Sequence, residues 1–309
     1  MNNKAKVMTM AIALALILSA SPGSTASANT ARSATVHVEE YHNGIKNVRE
    51  KGLFYVGNKN VWSYERFDVS VQGKKLSVSG LRINNMDYIP FRAAANALGI
   101  GYTYDSKNRT SLMHGRGISL SATEGCFSVY ANDRPLFASS PVVIMSDGRM
   151  YIPAASFAKA TGLTVSKSGK SINLTGSFKA LTPSSKFYDS DAVLWLARII
   201  HAESSGEPLL GKIAVGNVVL NRVNHPSYPN TIYGVIFDRK YGVQFSPVLY
   251  GTIYNTPAYD SVLAAKICLE GFDVSEGSLF FLHPEASTSS WIPNSRQYKF
   301  SIGNHDFYA

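Results

Sequence analysis

The chain has 309 residues, a length that accommodates two ordinary domains. Apolar residues make up 45% of it and charged residues 17%, a balance that favours packed globular structure and excludes a largely disordered chain. The formal net charge of +9 is carried by the middle of the chain. Residues 66–179 contain 14 Lys and Arg against 6 Asp and Glu, whereas residues 186–309 contain 9 against 11.

The first 28 residues have the pattern of a signal peptide. Lys4 and Lys6 precede an apolar run over residues 7–18, and residues 26–28, Ala-Ser-Ala, match a small-residue cleavage site. This run is too short for a membrane anchor, because about 20 residues are needed to span a bilayer. No other apolar segment is long enough to span a bilayer either. The sequence therefore predicts an exported, extracellular mature chain that begins near Asn29 and has no transmembrane segment.

Residues 29–66 show no decisive pattern and remain unassigned. A weak internal repeat follows in the next part of the chain. Segments 87–99 and 150–162 each place Tyr-Ile-Pro before a helix-like run, and they end on Gly99 and Gly162. Proline at the start and glycine after the end are typical helix boundaries. A strand-like run flanks each helix on both sides. Two such strand–helix–strand copies predict one α+β module over residues 67–176.

These two segments resemble the copper amine oxidase N-terminal-like domain, an accessory module of exported bacterial proteins. The resemblance covers about a third of the chain and implies a non-catalytic binding or spacing role. The second copy departs from the family's pattern, in which Arg usually stands at the position of Ala155 or Ser156. The family name implies no copper here, because the module has one histidine, His114, and one imidazole cannot form a copper site.

The basic excess of this module bears on its partner. For an exported protein it favours an anionic wall polymer or a membrane surface over nucleic acid. A generally solvated basic surface is an equally good alternative.

Residues 177–187 have the composition of a linker, and the charge balance changes across them, which predicts a second domain over residues 188–309. Ser190 is the predicted N-cap of its first helix, whose apolar positions recur at helical spacing. Glu203 continues this apolar face at the C-terminal end of the helix. Burial and the negative end of the helix dipole both disfavour a charged carboxylate there, so we expect a raised pKa at Glu203.

An acid that stays protonated near neutral pH is what glycosidic cleavage requires. On geometry alone, a Glu203 side chain frayed into solvent is an equal alternative, since most glutamates lie at the surface.

The segment 196–208, LARIIHAESSGEP, is similar to the signature of the SleB-type spore-cortex-lytic cell-wall hydrolase family. The similarity continues in the family's order through residues 211–223, 228–237, 244–248, 290–292 and 302–308. It departs at Tyr233, where members often carry Cys. The resemblance implies a mainly helical, lysozyme-like catalytic domain, with the first Glu of Ala-Glu-x-x-Gly-Glu, Glu203, as the catalytic acid. Glu207 is the competing candidate, but we expect it to cap the next helix, which would lower its pKa.

Substrate-contacting residues are expected in polar and aromatic segments of this domain. Gln244, Phe245 and Ser246 share one such loop, and His283 and His305 are the remaining polar candidates; a structural role is the alternative for each. No metal or other cofactor is predicted, because no His-Glu-x-x-His or Gly-x-Ser-x-Gly motif occurs in the domain. The two cysteines of the chain are not spaced like a disulfide framework or a metal site. Their pattern favours two buried free thiols over a disulfide bridge.

The expected reaction breaks the β-1,4 bond between N-acetylmuramic acid and N-acetylglucosamine in peptidoglycan glycan strands, in vegetative wall or in the cortex of germinating spores. A hydrolysing glycosidase needs a second carboxylate, about 5–5.5 Å or 6.5–9.5 Å from the first, and no second acid has a suitable sequence setting. This favours a lytic transglycosylase, which the family resemblance also implies for many members, together with a location at the cell wall or the spore. A lysozyme-like hydrolase is one alternative, and an inactive wall-binding protein is the other.

Overall fold

The computed structural model describes residues 10–11, 35–40, 46–51, 64–83, 85–240, 242–287 and 291–309. Apart from residues 10–11, the predicted signal peptide and its cleavage site lie outside the described residues. The chain forms two compact units that divide between Pro183 and Ser184. In the parts of the chain that the structure describes, no helix is long and apolar enough to cross a membrane.

In its described residues, unit 1 (residues 1–183) is mainly β-structure with two short helices, α1 (Phe91–Ala97) and α2 (Ala154–Thr161). Its strands are β1 (Met10–Ala11), β2 (Thr35–Glu40), β3 (Lys46–Lys51), β4 (Tyr64–Val71), β5 (Lys74–Lys75), β6 (Gly80–Ile83), β7 (Met86–Pro90), β8 (Gly101–Asp105), β9 (Thr110–Gly115), β10 (Ile118–Thr123), β11 (Ser128–Ala131), β12 (Arg134–Phe137), β13 (Val143–Ile144), β14 (Met150–Pro153), β15 (Thr164–Ser168) and β16 (Ser171–Thr175). They form a three-stranded sheet in the order β1-β2-β3 and a five-stranded sheet in the order β12-β11-β10-β9-β8. An eight-stranded sheet has the order β13-β14-β7-β6-β4-β16-β15, with β5 paired to β4.

The two copies of the internal repeat meet inside the eight-stranded sheet. Strands β7 and β14 pair antiparallel with Ile89 opposite Ile152, so equivalent residues of the two copies face each other. Helices α1 and α2 begin directly after the two prolines, and the rings of Phe91 and Phe157 meet edge-to-face at 6.4 Å between centroids. Strands β8 and β15 follow the helices. Unit 1 therefore has the strand–helix–strand arrangement that the repeat predicts.

Unit 2, residues 184–309, is mainly helical. Its elements are α3 (Ser184–Phe187), α4 (Ser190–Ser204), α5 (Leu209–Asn224), α6 (Ile232–Ile236), α7 (Ser246–Tyr250), a 3₁₀ turn (Thr252–Tyr254), α8 (Tyr259–Leu269), α9 (Trp291–Ser295), β17 (Phe280–Leu282), β18 (Tyr298–Ile302) and β19 (His305–Tyr308). The three strands form an antiparallel sheet in the order β17-β19-β18, and α4, α5 and α8 pack against one another. The predicted α+β class, with a mainly helical C-terminal domain after a repeat-built module, is confirmed.

Helix α4 is capped one residue earlier than predicted. Its N-cap is Asp189, whose carboxylate accepts a hydrogen bond from the Ala192 N–H at 2.8 Å, and the predicted cap, Ser190, is already helical. Aspartate and serine are about equally good caps, so adjacent positions compete for the role. The apolar face is fully buried at Leu196 and Ile200, which fixes the end of α4 against the core.

A glycine lets the three long helices approach closely. A Cβ at Gly216 of α5 would lie 2.8 Å from both Ile200 Cδ1 of α4 and Cys268 Sγ of α8. Glycine is the residue that permits such an approach without overlap. Cys268 and Cys126 are both buried thiols that form no disulfide, as the sequence favours.

Candidate active site

The C-terminal end of α4 borders a cleft of about 1310 Å³ in unit 2, here called the Glu203 cleft. Its walls come from the α4–α5 connection, the end of α5, the segment leading into α7, β17 with its following turn, α9 and the β18–β19 turn. The six residues singled out from the sequence all line this cleft: Glu203, Gln244, Phe245, Ser246, His283 and His305.

Glu203 is half-buried in the last turn of α4. Burial raises the pKa of its carboxyl to about 7, and the positive charge of Arg222 opposes part of that rise. None of the described residues hydrogen-bonds this carboxylate. Near neutral pH a large fraction of the molecules therefore carries the proton. The direction of the pKa shift is the one predicted from the sequence, and desolvation is its main cause.

Arg222, near the end of α5, was missed by the sequence analysis. Its buried guanidinium lies between 5.1 and 5.4 Å from the ring centroids of Tyr228, Phe245 and Phe280. Its Nε donates a hydrogen bond to the Leu279 carbonyl at 2.7 Å, whereas Nη1 has no hydrogen-bond partner among the described residues. An arginine on an amphipathic helix ordinarily indicates a solvated face. Here two of the aromatic rings that surround it, Phe245 and Phe280, come from segments distant in sequence.

The expectation that Glu207 caps the next helix was wrong. Helix α5 has Pro208 as its N-cap and no side-chain capping bond. The buried Glu207 carboxylate instead accepts hydrogen bonds from the backbone N and the Nδ2 of Asn304, at 2.9 and 3.0 Å. Its Oε1 also lies 3.6 Å from Nδ1 of His305. Glu207 therefore anchors the β18–β19 turn to the α4–α5 connection.

The β18–β19 turn passes so close to Glu207 that a side chain does not fit at residue 303. Gly303 has a φ of +60°, and a Cβ built there would overlap Oε2 of Glu207. Glycine avoids both the backbone strain and the overlap. The turn thus places Asn304 and His305 at the edge of the cleft.

A buried lysine fixes the connection that carries both glutamates. Lys212 Nζ donates hydrogen bonds to the carbonyl oxygens of Ser205 and Glu207, at 2.8 and 2.6 Å, and lies 3.3 Å from Oδ2 of Asp260 on α8. Carbonyls at the end of a helix lack partners within the helix, so an ammonium group stabilises them there. Lys212 consequently ties the end of α4 to α5 and α8.

The other residues proposed from the sequence differ in their surroundings. Phe245 is buried beneath Arg222, whereas Ser246 is exposed at the start of α7. Gln244 Nε2 donates to the Gly242 carbonyl at 3.2 Å. The His283 and His305 rings are 5.9 Å apart, and burial lowers the pKa of His305.

Other reaction chemistries find little support in this unit. Burial raises the pKa of the Cys268 thiol, whose Sγ donates to the Ile213 carbonyl at 3.3 Å, so it is no nucleophile. Across the described ranges, no group of three or more His, Cys, Asp or Glu side chains is arranged to hold a metal ion.

Family comparison assigns both parts of the chain to known domain classes. The family described as Cell Wall Hydrolase matches residues 206–308, and the family described as Copper amine oxidase N-terminal domain matches residues 70–175. The C-terminal unit thus carries a match to the cell wall hydrolase family, and both resemblances noted in the sequence are confirmed. Glu203 lies just before the matched range, so its role is argued from geometry and chemistry.

Similar curated proteins are named spore cortex-lytic enzymes. The one from Bacillus cereus (strain ATCC 14579) is 38% identical over 120 residues, which are 39% of this chain and 45% of the relative. The one from Halalkalibacterium halodurans is 37% identical over 129 residues, 42% of this chain and 38% of the relative. The chain thus spans less than half the length of these relatives.

Two solved structures, both of catalytic domains, are also similar to part of the chain. The catalytic domain of the germination-specific lytic transglycosylase SleB from Bacillus anthracis is 36% identical, with a TM-score of 0.37, over 41% of this chain and 100% of that one. The catalytic domain of the Bacillus cereus SleB protein is 36% identical, with a TM-score of 0.36, over 40% of this chain and 94% of that one.

Proposed function

We propose that the chain is a lytic transglycosylase that cleaves peptidoglycan between N-acetylmuramic acid and N-acetylglucosamine. The observation that carries this proposal is the half-buried Glu203 carboxyl in the wall of the cleft, with its pKa raised to about 7. The relatives named spore cortex-lytic enzymes support the substrate class. Glu203 acts first as the catalytic acid and then as the base.

In the first step, protonated Glu203 donates its proton to the glycosidic oxygen while the bond from that oxygen to C1 of the muramoyl residue breaks. The N-acetylglucosamine end leaves as a neutral alcohol, and Glu203 is left as a carboxylate. The positive charge of Arg222 in the same wall stabilises this carboxylate, because opposite charges interact strongly where water is excluded.

In the second step, the 6-hydroxyl of the muramoyl residue forms a bond to C1, and its proton passes to the Glu203 carboxylate. The product carries a 1,6-anhydro end, no water is consumed, and the acid is regenerated. A single group can do both tasks when its pKa lies near the working pH, as it does for Glu203.

The state of Glu207 supports this outcome over hydrolysis by a lysozyme-like mechanism. A hydrolysing glycosidase uses a second carboxylate as nucleophile or as base for water. The acids among the described lining residues are Glu203 and Glu207, and Glu207 is engaged by two hydrogen bonds from Asn304. Hydrolysis is the second candidate function, and inactive wall binding is the third.

The aromatic and polar walls suit a glycan strand. Trp291 lines the cleft and is 54% exposed, with the Arg296 guanidinium over its ring at 5.1 Å, so its exposed ring area can contact a sugar. Gln244, Ser246 and His283 add polar side chains for sugar hydroxyl and acetamido groups. Phe245 acts from beneath, as a support for Arg222.

We further propose that the protein acts outside the membrane, at the cell wall or on the spore. The predicted signal peptide and the names of the spore cortex-lytic relatives support this location. Anionic wall polymer is the partner expected for the basic unit 1.

The mass of the released muropeptides tests the reaction. Vegetative peptidoglycan and spore cortex are each digested with the full mature chain, with Glu203→Gln and with Glu276→Gln, an exposed glutamate of unit 2 outside the cleft lining. We expect 1,6-anhydro products from the wild type and from Glu276→Gln, and none from Glu203→Gln. Products that have gained a water would identify a hydrolase. Equal release by the wild type and Glu203→Gln would refute the role of Glu203.

A further inference from the structure

A second cleft, the unit 1 cleft, has a volume of about 550 Å³ and lies within unit 1. It is bordered by β5 and the residues after it, by α1, by β8 and by the turn that precedes β14. The charged side chains in its lining are Lys74, Lys75, Arg92 and Arg149. No Asp or Glu belongs to this lining in the described part of the unit. The formal charges in the described lining are therefore all positive.

Two of these cations have no carboxylate partner among the described residues. Lys74 Nζ donates only a weak 3.2 Å hydrogen bond to the Ala97 carbonyl, and the Arg92 guanidinium lies over the Tyr102 ring, 4.9 Å from its centroid. The other two cations form ion pairs with carboxylates outside the lining. A cation stacked on an aromatic ring keeps its N–H donors free for a ligand.

The internal repeat supplies a comparison within the same molecule. In the second copy, Ala155 stands at the position of Arg92, and Val165 stands at the position of Tyr102. Each pair shares its degree of exposure, since Arg92 and Ala155 are exposed while Tyr102 and Val165 are half-buried. The second copy folds into the same strand–helix–strand unit without the cation or the ring. The fold therefore does not require the Arg92–Tyr102 pair, and its presence in one copy points to a ligand.

The lining indicates what kind of ligand fits. Tyr104 on β8 is 41% exposed, so it offers a ring face on which a sugar can stack. Arg92 and Lys74 are placed to bind an anionic group, and guanidinium groups match phosphate and carboxylate geometry. We propose that the unit 1 cleft binds an acidic saccharide segment of the cell wall, with Arg92 and Lys74 on its phosphate or carboxylate and Tyr104 beneath a sugar ring.

The choice of the wall as the source of this saccharide rests on the proposed function of unit 2. A saccharide site on unit 1 would keep the chain on the polymer that unit 2 cleaves, because tethering turns later encounters into intramolecular ones. The enzyme would then act repeatedly on one region of the wall.

Sedimentation with purified wall sacculi tests the proposal. The full mature chain carries Glu203→Gln in every sample, so the sacculi stay intact. One sample adds Lys74→Ala and Arg92→Ala, and a charge-matched control adds Lys159→Ala and Lys170→Ala, which remove two exposed cations outside the cleft lining. We expect the cleft variant to bind about tenfold more weakly and the control to change less than about twofold. Arg92→Ala reproduces the second copy's Ala155, so the fold is expected to persist.

Sacculi stripped of phosphodiester polymers by hydrofluoric acid distinguish the two sources of the anion. Binding that is lost with stripping assigns the site to phosphate, and binding that survives assigns it to carboxylate. An equal loss in the cleft variant and the charge-matched control would overturn the proposal, as would equally tight binding of double-stranded DNA. Failure of the chain to sediment with either kind of sacculi would also overturn it.

The same substitutions in a chain that retains Glu203 separate this proposal from the enzymatic one. With short soluble glycan fragments as substrate, Lys74→Ala with Arg92→Ala should release muropeptides at the wild-type rate. A chain that binds through the unit 1 cleft yet releases no muropeptides would refute the enzyme and leave the saccharide site standing.

Discussion

Replacing Glu203 by Gln is expected to stabilise unit 2 above neutral pH while it abolishes activity. The pKa of this carboxyl is 4.5 in the unfolded chain and about 7 in the folded one. Between these values the unfolded state releases its proton before the native state does, so wild-type stability falls as pH rises. Glutamine binds no proton in this range. The free energy of unfolding of the Glu203→Gln variant therefore does not decrease with pH in this way.

The magnitude follows from the two pKa values. A shift of one unit corresponds to about 1.4 kcal/mol, so the full effect above pH 7 is about 3 kcal/mol. Because Glu203 is only half-buried, solvent screening reduces this to about 1–3 kcal/mol. Below pH 4.5 both states are protonated and the contribution vanishes. The difference in free energy of unfolding between the variant and the wild type should therefore grow by about 1–3 kcal/mol from pH 4 to pH 8.

Guanidinium unfolding at pH 4 and pH 8, followed by tryptophan fluorescence, measures this difference. Two of the three tryptophans, Trp195 and Trp291, lie in unit 2, so the signal reports mainly on that unit. Glu276→Gln makes the same chemical change at an exposed site and should show no such growth. If the Glu203→Gln difference is the same at both pH values, the carboxylate is not desolvated and the reasoning fails.

Three further substitutions test the surroundings of Glu203. Arg222→Met removes the positive charge that lowers the pKa of Glu203, so the alkaline limb of the pH–rate profile on soluble glycan fragments should move to higher pH; an unmoved limb would contradict the coupling. Gly303→Ala forces an overlap with Glu207 at a positive φ and should cost about 2 kcal/mol or more in guanidinium unfolding, whereas wild-type stability would show that the turn is not constrained. Lys212→Met leaves the Ser205 and Glu207 carbonyls and the Asp260 carboxylate without their lysine partner and should lower the free energy of unfolding by about 3–5 kcal/mol. A small change in calorimetric Tm would show that Lys212 does not hold α4, α5 and α8 together.

Local patterns predicted much of the fold and part of the site. Proline and glycine set the ends of the two repeat helices, because their effects on backbone geometry act over neighbouring residues. The apolar spacing of α4 placed Glu203 in register with buried residues for the same reason. Where two neighbouring residues can both cap a helix, the prediction was wrong by one residue, because Asp189 caps α4 in place of Ser190.

The partners that complete the site are distant in sequence, and periodicity carries no information about them. Glu207 and Asn304 are 97 residues apart, and their contact depends on how β18 and β19 pack against α5. The aromatic setting of Arg222 likewise assembles from the end of α5, the loop before α7 and β17. Without these contacts the sequence assigned Glu207 to the wrong partner and passed over Arg222.

The protonation of Glu203 itself is the most direct test of the account. The full mature chain is labelled with ¹³C at the glutamate side-chain carboxyl groups. The NMR resonance that is absent from the Glu203→Gln variant belongs to Glu203, and its chemical shift is followed as a function of pH. We predict a midpoint of about 7, with the proton retained through the mildly acidic range. A midpoint near 4.5, the ordinary value for glutamate, would show a carboxylate already charged at neutral pH and would contradict its role as the acid.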